Sequence, residues 1–281
     1  MNLRRHFDEL PYFKANRGNL MQHWAFCELV TLLRSVATDA TDLHYVDAYS
    51  MAPWSRPEPR SNQTRHFFNR AAERLNGAGS NFEVAWYSLS QNPPLFYPSS
   101  AVLLRGLWKN NISYSLCEID RAKAAFIAEW GASVVSDDNC TGFQVNCRKW
   151  QNELPLRPSA KMHLLQFDPY GFKRAAQQGA ANLGMMYPSD INSIIQHTAD
   201  LDRIAVMMSF YDSQNGNSAA LVEEAITPLM EGGGFRLLWP IRADDATISL
   251  IFTKDINAPD RFLDTPNRWR QWLNELQGGG Q

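Results

Sequence analysis

The feature that most constrains the fold is an alternation of short apolar runs with longer amphipathic segments, which dominates the second half of the chain. The apolar runs predict strands at 113–119, 132–138, 162–172 and 203–211. The amphipathic segments predict helices at 121–130, 141–151, 189–200 and 217–231. Strands that alternate with helices of this length form a mostly parallel sheet that is covered on both faces.

The two ends of the chain extend this pattern. Upstream, the sequence predicts helices at 18–36, 66–76 and 99–110, a strand at 43–51, and either a strand or an extended connector at 84–89. Downstream, a short turn joins the apolar runs at 235–242 and 247–255, which predicts an antiparallel hairpin before a last helix at 259–277. We therefore expect an α/β fold with a doubly wound, mostly parallel seven-stranded sheet that ends in a C-terminal antiparallel hairpin.

The length of 281 residues allows one large core, and α/β domains of this size often remain single. Residues 1–42 predict an N-terminal helical segment that packs on an α/β domain formed by residues 43–281. Within that domain, residues 53–65 are rich in proline, arginine and polar side chains, which predicts a mobile surface insert.

Composition and charge narrow the classes of partner. Apolar residues make up 44% of the chain, which is an ordinary globular value and excludes a disordered chain. The formal net charge is only −2, so a nucleic acid would have to meet a local basic patch. Basic residues that could form such a phosphate-contacting rim, or that are simply surface charge, are Arg4, Arg5, Lys14, Arg17, Arg56, Arg60 and Arg65.

Membrane, secretory and metal-binding classes find no support in the sequence. No apolar stretch approaches the ~20 residues that a membrane helix needs, and the N-terminus lacks the apolar region of a secretory signal. The four cysteines form no C-x-x-C pair, so we expect neither a metal site nor disulfides. Reduced thiols of this kind are typical of a cytoplasmic protein. The sequence is also compatible with a protein partner.

Polar side chains stand where the predicted strands end. In open parallel sheets, ligands bind outside the carboxyl ends of the strands. The alternative for any single acid is that it caps the next helix. The side chains at these ends are Asp47, Glu118, Asp137 or Asp138, Asp168 and Tyr211.

Two of these carboxylates suggest distinct chemistry. Glu118 follows the second core strand, where an acceptor-only group suits the two hydroxyls of a ribose; an ion pair with Arg121 is the alternative. Asp168 precedes Pro169, and it can accept a hydrogen bond from an exocyclic amine while Tyr170 or Phe172 stacks on a flat base. A simple strand-to-loop turn is the alternative for this segment.

Four segments, in this order, resemble two related families of class I methyltransferases: the enzymes that methylate adenine N6 in bacterial large-subunit ribosomal RNA, and the three-Cys-motif partner family. Gly18-Asn19 with Gln22-His23 is similar to an N-terminal Gly-Asn…Lys-His helix, and Tyr45–Ser50 to a strand with its acid and loop. Tyr97–Ser100 resembles a Tyr-Pro-Gly-Ser segment. Phe167–Gly171 resembles Asp-Pro-Phe-Gly and, more loosely, the Asp-Pro-Pro-Tyr of N6 amino methylation.

The resemblance implies S-adenosylmethionine as the cofactor. The residues that it places around the cofactor are Asn19, His23, Asp47, Tyr49, Ser100, Glu118, Asp137 and Asp138. The residues that it places around the reacting amine are Asp168, Pro169, Tyr170 and Phe172.

This sequence departs from the family pattern at two points. The loop after Asp47 contains no glycine, whereas glycine there allows backbone to approach the cofactor closely and adopts positive φ without steric cost. Met51 and Pro53 would crowd the methionine moiety unless the loop takes another path. The motif at Asp168 has one proline instead of two, so its aromatic residue comes one position early.

Three functional hypotheses follow. The first is an S-adenosylmethionine-dependent methyltransferase that acts on an amino group, with adenine N6 of a nucleic acid as the expected target. The second is a methyltransferase-fold protein without catalysis that serves as a binding or assembly subunit, which the glycine-free loop favours. The third is an α/β enzyme that uses another nucleotide ligand.

Overall fold

The computed structural model describes residues 12–13, 17–57, 80–89, 97–136, 139–147, 149–151, 153–169, 171–173, 184–211 and 218–278. The helix predicted at 66–76 and residues 58–65 of the predicted insert lie outside these ranges. No helix in the described ranges combines the length and the apolar character needed to cross a membrane.

The described ranges contain strands and helices in alternation. The strands are β1 (Tyr12–Phe13), β2 (Leu43–Asp47), β3 (Trp54–Pro57), β4 (Tyr97–Pro98), β5 (Ile112–Cys117), β6 (Cys140–Asn146), β7 (Met162–Phe167), β8 (Gly171–Phe172), β9 (Met185–Met186), β10 (Ile204–Tyr211), β11 (Arg236–Arg242) and β12 (Thr247–Lys254). The helices are α1 (Arg17–Val36), α2 (Asn81–Leu89), α3 (Ser100–Leu107), α4 (Arg121–Val135), α5 (Pro188–His197), α6 (Ala219–Gly232) and α7 (Thr265–Gly278), with a 3-10 turn at Asp260–Phe262.

The main sheet has seven strands in the order β11-β12-β10-β7-β2-β5-β6. The pairs from β10 to β6 are parallel, whereas β12 runs antiparallel to both β10 and β11. A parallel sheet with one antiparallel strand inserted near the edge is the class I methyltransferase fold. The predicted fold class and the C-terminal hairpin are therefore confirmed.

Helices cover both faces of the sheet because side chains of successive strand residues point to opposite faces. In β2, Leu43 and Tyr45 belong to one buried cluster with residues of α1, α2, α3, α4 and α7. Val46, the next residue along, belongs to the other cluster with residues of α5 and α6. Burial on both faces explains why the central strands read as continuous apolar runs in the sequence.

Helix α1 lies inside the first cluster rather than on the surface. Its buried residues occur all around the helix and include the polar residues Gln22, His23 and Glu28. The Glu28 carboxylate accepts from Asn81 Nδ2 of α2 at 2.7 Å and pairs with Arg268 Nη2 of α7 at 2.8 Å. This buried carboxylate therefore joins three helices, because a buried charge must be paired.

Aromatic residues fill much of the core. All nine tryptophans are buried, including Trp54, which begins β3 and does not lie in a polar loop as the sequence predicted. Residues 54–57 pair with β1 and β4, so the described part of the predicted insert is a strand. The segment at 84–89 belongs to helix α2, with Phe82, Ala85 and Trp86 buried at helical spacing.

The predictions between residues 130 and 151 were wrong. Helix α4 does not stop at Gly131 but continues to Val135, because Ile127, Trp130 and Val134 continue its buried stripe. Residues 132–135 of the predicted strand belong to α4, and strand β6 lies where the helix at 141–151 was predicted. Gly131 lies under the ring of Phe143 from that strand, so its missing side chain makes room for the edge strand.

We expect Gly131→Ala to destabilise the protein although alanine favours helix. A Cβ at this position would lie 2.2 Å from Cε1 of Phe143, so the ring would have to move. Overpacking of this kind costs about 1–3 kcal/mol in the free energy of unfolding, which urea denaturation measures. Gly232→Ala is the control, because a Cβ there meets nothing within 4 Å. Equal stability of the two variants would contradict the close packing.

Candidate functional site

Three carboxyl groups gather at the carboxyl ends of the neighbouring strands β7, β2 and β5. Asp47 ends β2, Glu118 follows β5 and Asp168 follows β7. Their charges influence one another: Glu118 raises the pKa of Asp47, and Asp47 raises the pKa of Asp168. The strand order thus brings three of the predicted site residues together at the expected edge of the sheet.

Asp47 is buried, with 4% of its surface exposed. Burial raises its pKa to about 7, although hydrogen bonds from the Tyr49 amide and the Tyr45 hydroxyl act in the opposite direction. The Tyr45 hydroxyl lies 3.2 Å from Asp47 Oδ2 and 2.8 Å from Gln166 Oε1. Gln166 Nε2 in turn donates to Ser100 Oγ at 2.9 Å, so Ser100 belongs to the same buried hydrogen-bond network.

The loop after Asp47 takes a path that needs no glycine. None of its residues has a positive φ. The Ala48 amide donates to the Gln166 carbonyl at 2.9 Å, and the Ser50 amide donates to the Cys117 carbonyl at 2.8 Å. The chain therefore bends from β2 toward the end of β5. The Tyr49 ring, where the resemblance would have glycine, lies edge-on to Trp150 at a centroid distance of 6.5 Å.

Glu118 stays partly exposed beside this loop. Its Oε1 accepts from the Asp120 amide at 2.8 Å, and Asp120 caps α4 by accepting from the Ala122 and Lys123 amides. The ion pair with Arg121 that the sequence left open is thus replaced by a backbone contact. Ile119, the next residue, is 52% exposed, which makes an apolar surface beside the carboxylate.

Asp168 is the least satisfied of the three carboxyl groups. Its Oδ1 is buried and has no hydrogen-bond partner among the residues that the structure describes. Burial raises its pKa to about 7, and hydrogen bonding with Gln22 and Tyr211 lowers it in part. An acceptor of this kind is costly unless a donor arrives. Pro169, which follows, is buried.

The N-terminal turns of α1 face the end of β10 near Asp168. The Tyr211 hydroxyl donates to Gln22 Oε1 at 2.5 Å, and Asn19 Nδ2 lies 3.5 Å from the same hydroxyl. His23 is buried, and its Nδ1 lies 2.7 Å from the Tyr97 hydroxyl. Burial lowers the pKa of His23 to about 3, so the ring is neutral at physiological pH.

Several predicted residues fall elsewhere. Phe172 is 2% exposed and packs edge-on against Phe210 in the core, so it is not available to stack on a base. Tyr170, Asp137 and Asp138 lie outside the described residues. The described residues before the two acids, 132–135, belong to helix α4 and not to the predicted strand.

Sequence reasoning assigned no role to the buried polar partners of the site, Tyr45, Gln166 and Gln22, although Tyr45 and Gln22 lie in segments that carry the resemblance. A usable signal was present for Gln166, because it is a polar residue inside a buried apolar strand. For Tyr45 the signal was its position two residues before Asp47, which places both on the same side of β2. For Gln22 the signal was its place in the segment similar to the Gly-Asn…Lys-His helix, although a polar residue on a helix is ordinarily exposed.

The residues present fit the adenosine part of S-adenosylmethionine. Glu118 has a partly exposed carboxylate that can accept from ribose hydroxyls, and exposed Ile119 beside it offers apolar surface for a flat base. Asp168 supplies an unsatisfied buried acceptor two strands away. Glu118 and Ile119 thus fit the adenosine of the cofactor, and Asp168 fits an amine. The loop at Tyr49 would contact the ligand differently from a glycine-rich loop.

The described residues also bear on metal ligands and on the predicted basic rim. No group of three histidine, cysteine or acidic side chains there could hold a metal ion. Of the predicted basic rim, Arg17 donates to the Ala243 carbonyl at 3.0 Å and so anchors α1 to the turn of the hairpin. Arg56 lies in β3, and the other five basic residues lie outside the described ranges.

The sequence matches no protein-family model and no curated protein. Among solved structures the chain is similar to protein LPL1258 from Legionella pneumophila str. Philadelphia 1, with a TM-score of 0.58 and 15% identity over 94% of this chain and 92% of that one. It is also similar to the N-terminal domain of human METTL16 in complex with SAH (TM-score 0.43, 9% identity, 84% and 71% coverage). A putative rRNA-methylase from Clostridium thermocellum gives a TM-score of 0.36 and 14% identity, with 54% and 80% coverage. The likeness to LPL1258 concerns the fold alone, and the other two carry no argument.

Proposed function

We propose that this chain is an S-adenosylmethionine-dependent methyltransferase that acts on an amino group, and that the amino group is adenine N6 in a nucleic acid. The observation that carries the proposal is the carboxyl group of Asp168, which stands at the end of central strand β7 with a buried, unsatisfied oxygen and a proline after it. The choice of adenine rests on the resemblance of Phe167–Gly171 to motifs of N6 amino methylation.

Asp168 is suited to hold an amine for attack on a methyl group. S-adenosylmethionine, when bound, supplies an electrophilic methyl group. The carboxylate of Asp168 would accept a hydrogen bond from the amine and direct the nitrogen lone pair, and the carbonyl of Pro169 would accept the second N–H. No strong base is required, since the nitrogen can lose its proton after it has attacked. The rate gain would come mainly from orientation.

A non-catalytic binding role is the second candidate, and the loop after Asp47 favours it. The Ser50 amide already bonds the end of β5, and Tyr49 occupies the position where close backbone approach would be expected. Under this candidate the fold would present the same edge of the sheet to a partner without binding S-adenosylmethionine.

Calorimetry with S-adenosylmethionine and S-adenosylhomocysteine separates the two candidates. The proposed function predicts micromolar affinity, roughly −8 kcal/mol. Glu118→Ala should weaken it by about 10²-fold, since two charge-assisted hydrogen bonds are lost. Glu224→Ala, an exposed carboxylate on α6, is the matched control. No heat at millimolar ligand would favour the binding role, and an unchanged affinity of Glu118→Ala would refute the placement of the ribose.

Variants of Asp168 test the amine site. We expect Asp168→Ala to lower kcat for methyl transfer by about 10²-fold or more, because a hydrogen bond to a charged acceptor is lost. Asp168→Asn should retain part of the rate, since an amide oxygen still accepts a hydrogen bond. Transfer of a labelled methyl group to RNA and DNA measures both, with the exposed Asp200→Ala as control. Equal rates for Asp168→Ala and the wild type would exclude the assignment.

The rate should also depend on pH. Burial raises the pKa of Asp168 to about 7, so the group is protonated below this pH and its acceptor form appears above it. We expect methyl transfer to rise as pH increases through about 7 and then to level off. Because Asp47 titrates in the same range and interacts with Asp168, the midpoint belongs to the pair. In Asp168→Asn the part of this rise that Asp168 causes should be absent. An unaltered pH–rate profile in this variant would contradict the role of Asp168.

A further inference from the structure

We propose that a cleft between helices α3 and α4 is a second ligand site, and that its ligand is a small, flat aromatic molecule with a negative charge. The cleft has a volume of about 440 Å³, which is the size of a small-molecule site. Its floor lies away from the three carboxyl groups of the candidate site, so the proposal does not rest on methyl transfer.

The two helices form the walls of the cleft. Val102, Arg105 and Gly106 lie three and four residues apart and therefore share one face of α3. On α4, Trp130 and Val134 lie four residues apart and face them. Gly106 contributes no side chain to its wall, which leaves room between the helices.

The first residues of two parallel strands form the floor. Ile112 begins β5 and Cys140 begins β6, and Tyr114 lies on the same face of β5 as Ile112. Glu118 follows the other end of β5, about 20 Å away along the strand. A ligand on this floor would therefore occupy the amino ends of the strands, whereas the candidate site lies at their carboxyl ends.

Aromatic rings supply much of the lining. Four of the lining residues are Trp54, Trp108, Tyr114 and Trp130. The rings of Tyr114 and Trp130 meet edge-on at a centroid distance of 5.8 Å, and Trp108 Nε1 donates to the Asn111 carbonyl at 3.2 Å. Because large aromatic surfaces favour contact with other flat rings, this lining fits an aromatic ligand.

The charge of the lining is positive. Arg105 and Lys109 line the cleft, and none of the described lining residues is acidic. The carboxyl ends of α3 and α4 lie beside the cleft, and each contributes roughly half a negative charge. Two such ends offset only about one of the two cations, and the Leu107 carbonyl at the end of α3 already accepts from Arg34 Nη1 at 3.0 Å. The remaining positive charge fits an anionic group on the ligand.

The test follows the indole N–H resonances of Trp108 and Trp130 in the ¹⁵N-labelled full-length protein, assigned by their loss in Trp108→Phe and Trp130→Phe. The probes are cinnamate and cinnamamide, which are flat, nearly equal in shape and different in charge. We expect cinnamate to shift both resonances with an affinity at least about tenfold above that of the amide, because it gains a charge-assisted contact. Trp239, whose Nε1 donates to the Phe262 carbonyl at the opposite edge of the sheet, should not respond.

Three variants locate the probe. Gly106→Leu should lower the affinity for cinnamate at least about tenfold, since the new side chain occupies the cleft. Gly232→Leu is the matched control, because this glycine is exposed on α6 and a Cβ there meets nothing within 4 Å. Lys109→Gln should reduce the preference for cinnamate over the amide, and Glu118→Ala should leave the cinnamate affinity unchanged.

Absence of any shift at millimolar cinnamate would overturn the site, as would an unchanged affinity in Gly106→Leu. Equal affinities for cinnamate and cinnamamide would overturn the assignment of charge. Loss of cinnamate binding in Glu118→Ala would place the probe at the carboxyl ends of the strands and equally contradict the proposal. Should Gly106→Leu fail to fold, Lys109→Gln decides, because Lys109 is exposed and an unchanged preference for the anion there overturns the site. None of these measurements needs S-adenosylmethionine, so their failure is distinct from a failure of the proposed function.

Discussion

Helix α1 lies in the core with polar side chains along its length, and each of them needs a partner there. Glu28 finds Arg268 and Asn81, which ties α1 to α7 and α2. Toward the amino end of the helix, Gln22 finds Tyr211. The same packing that covers one face of the sheet therefore also sets the surroundings of the candidate site, and a shift of α1 would disturb both.

The carboxyl groups at the strand ends destabilise the folded state when they ionise. Burial raises the pKa of both Asp47 and Asp168 to about 7. Because these values lie above those of the unfolded chain, each group contributes stability at acid pH that is lost as the pH rises through about 7. Carboxyl groups with raised pKa values occur preferentially at functional sites, and the unsatisfied oxygen of Asp168 supports the role proposed for it.

The loop after Asp47 shows how a missing glycine changes the site. Without positive φ the chain turns toward β5, where the Ser50 amide satisfies the Cys117 carbonyl. The side chain of Tyr49 then packs against Trp150. A ligand at this edge would meet an aromatic side chain where a glycine-rich loop presents bare backbone, and this difference separates the two candidate functions.

Apolar periodicity and strand-end polarity are local properties, so the amino-acid sequence predicted the sheet class, the C-terminal hairpin and the places of Asp47, Glu118 and Asp168 at strand ends. The prediction was wrong between 130 and 151, where the helix predicted at 121–130 continues to Val135. Only the tertiary structure showed that Phe143 packs over Gly131 and that β6 is the edge strand. Likewise, only the folded chain brings Asn19 and Gln22 to the hydroxyl of Tyr211, since these contacts join residues separated by up to 192 positions. The hydrophobic pattern of the sequence predicts which residues are buried. The hydrogen-bond partner of a buried polar group, however, depends on packing between elements that are distant in the sequence.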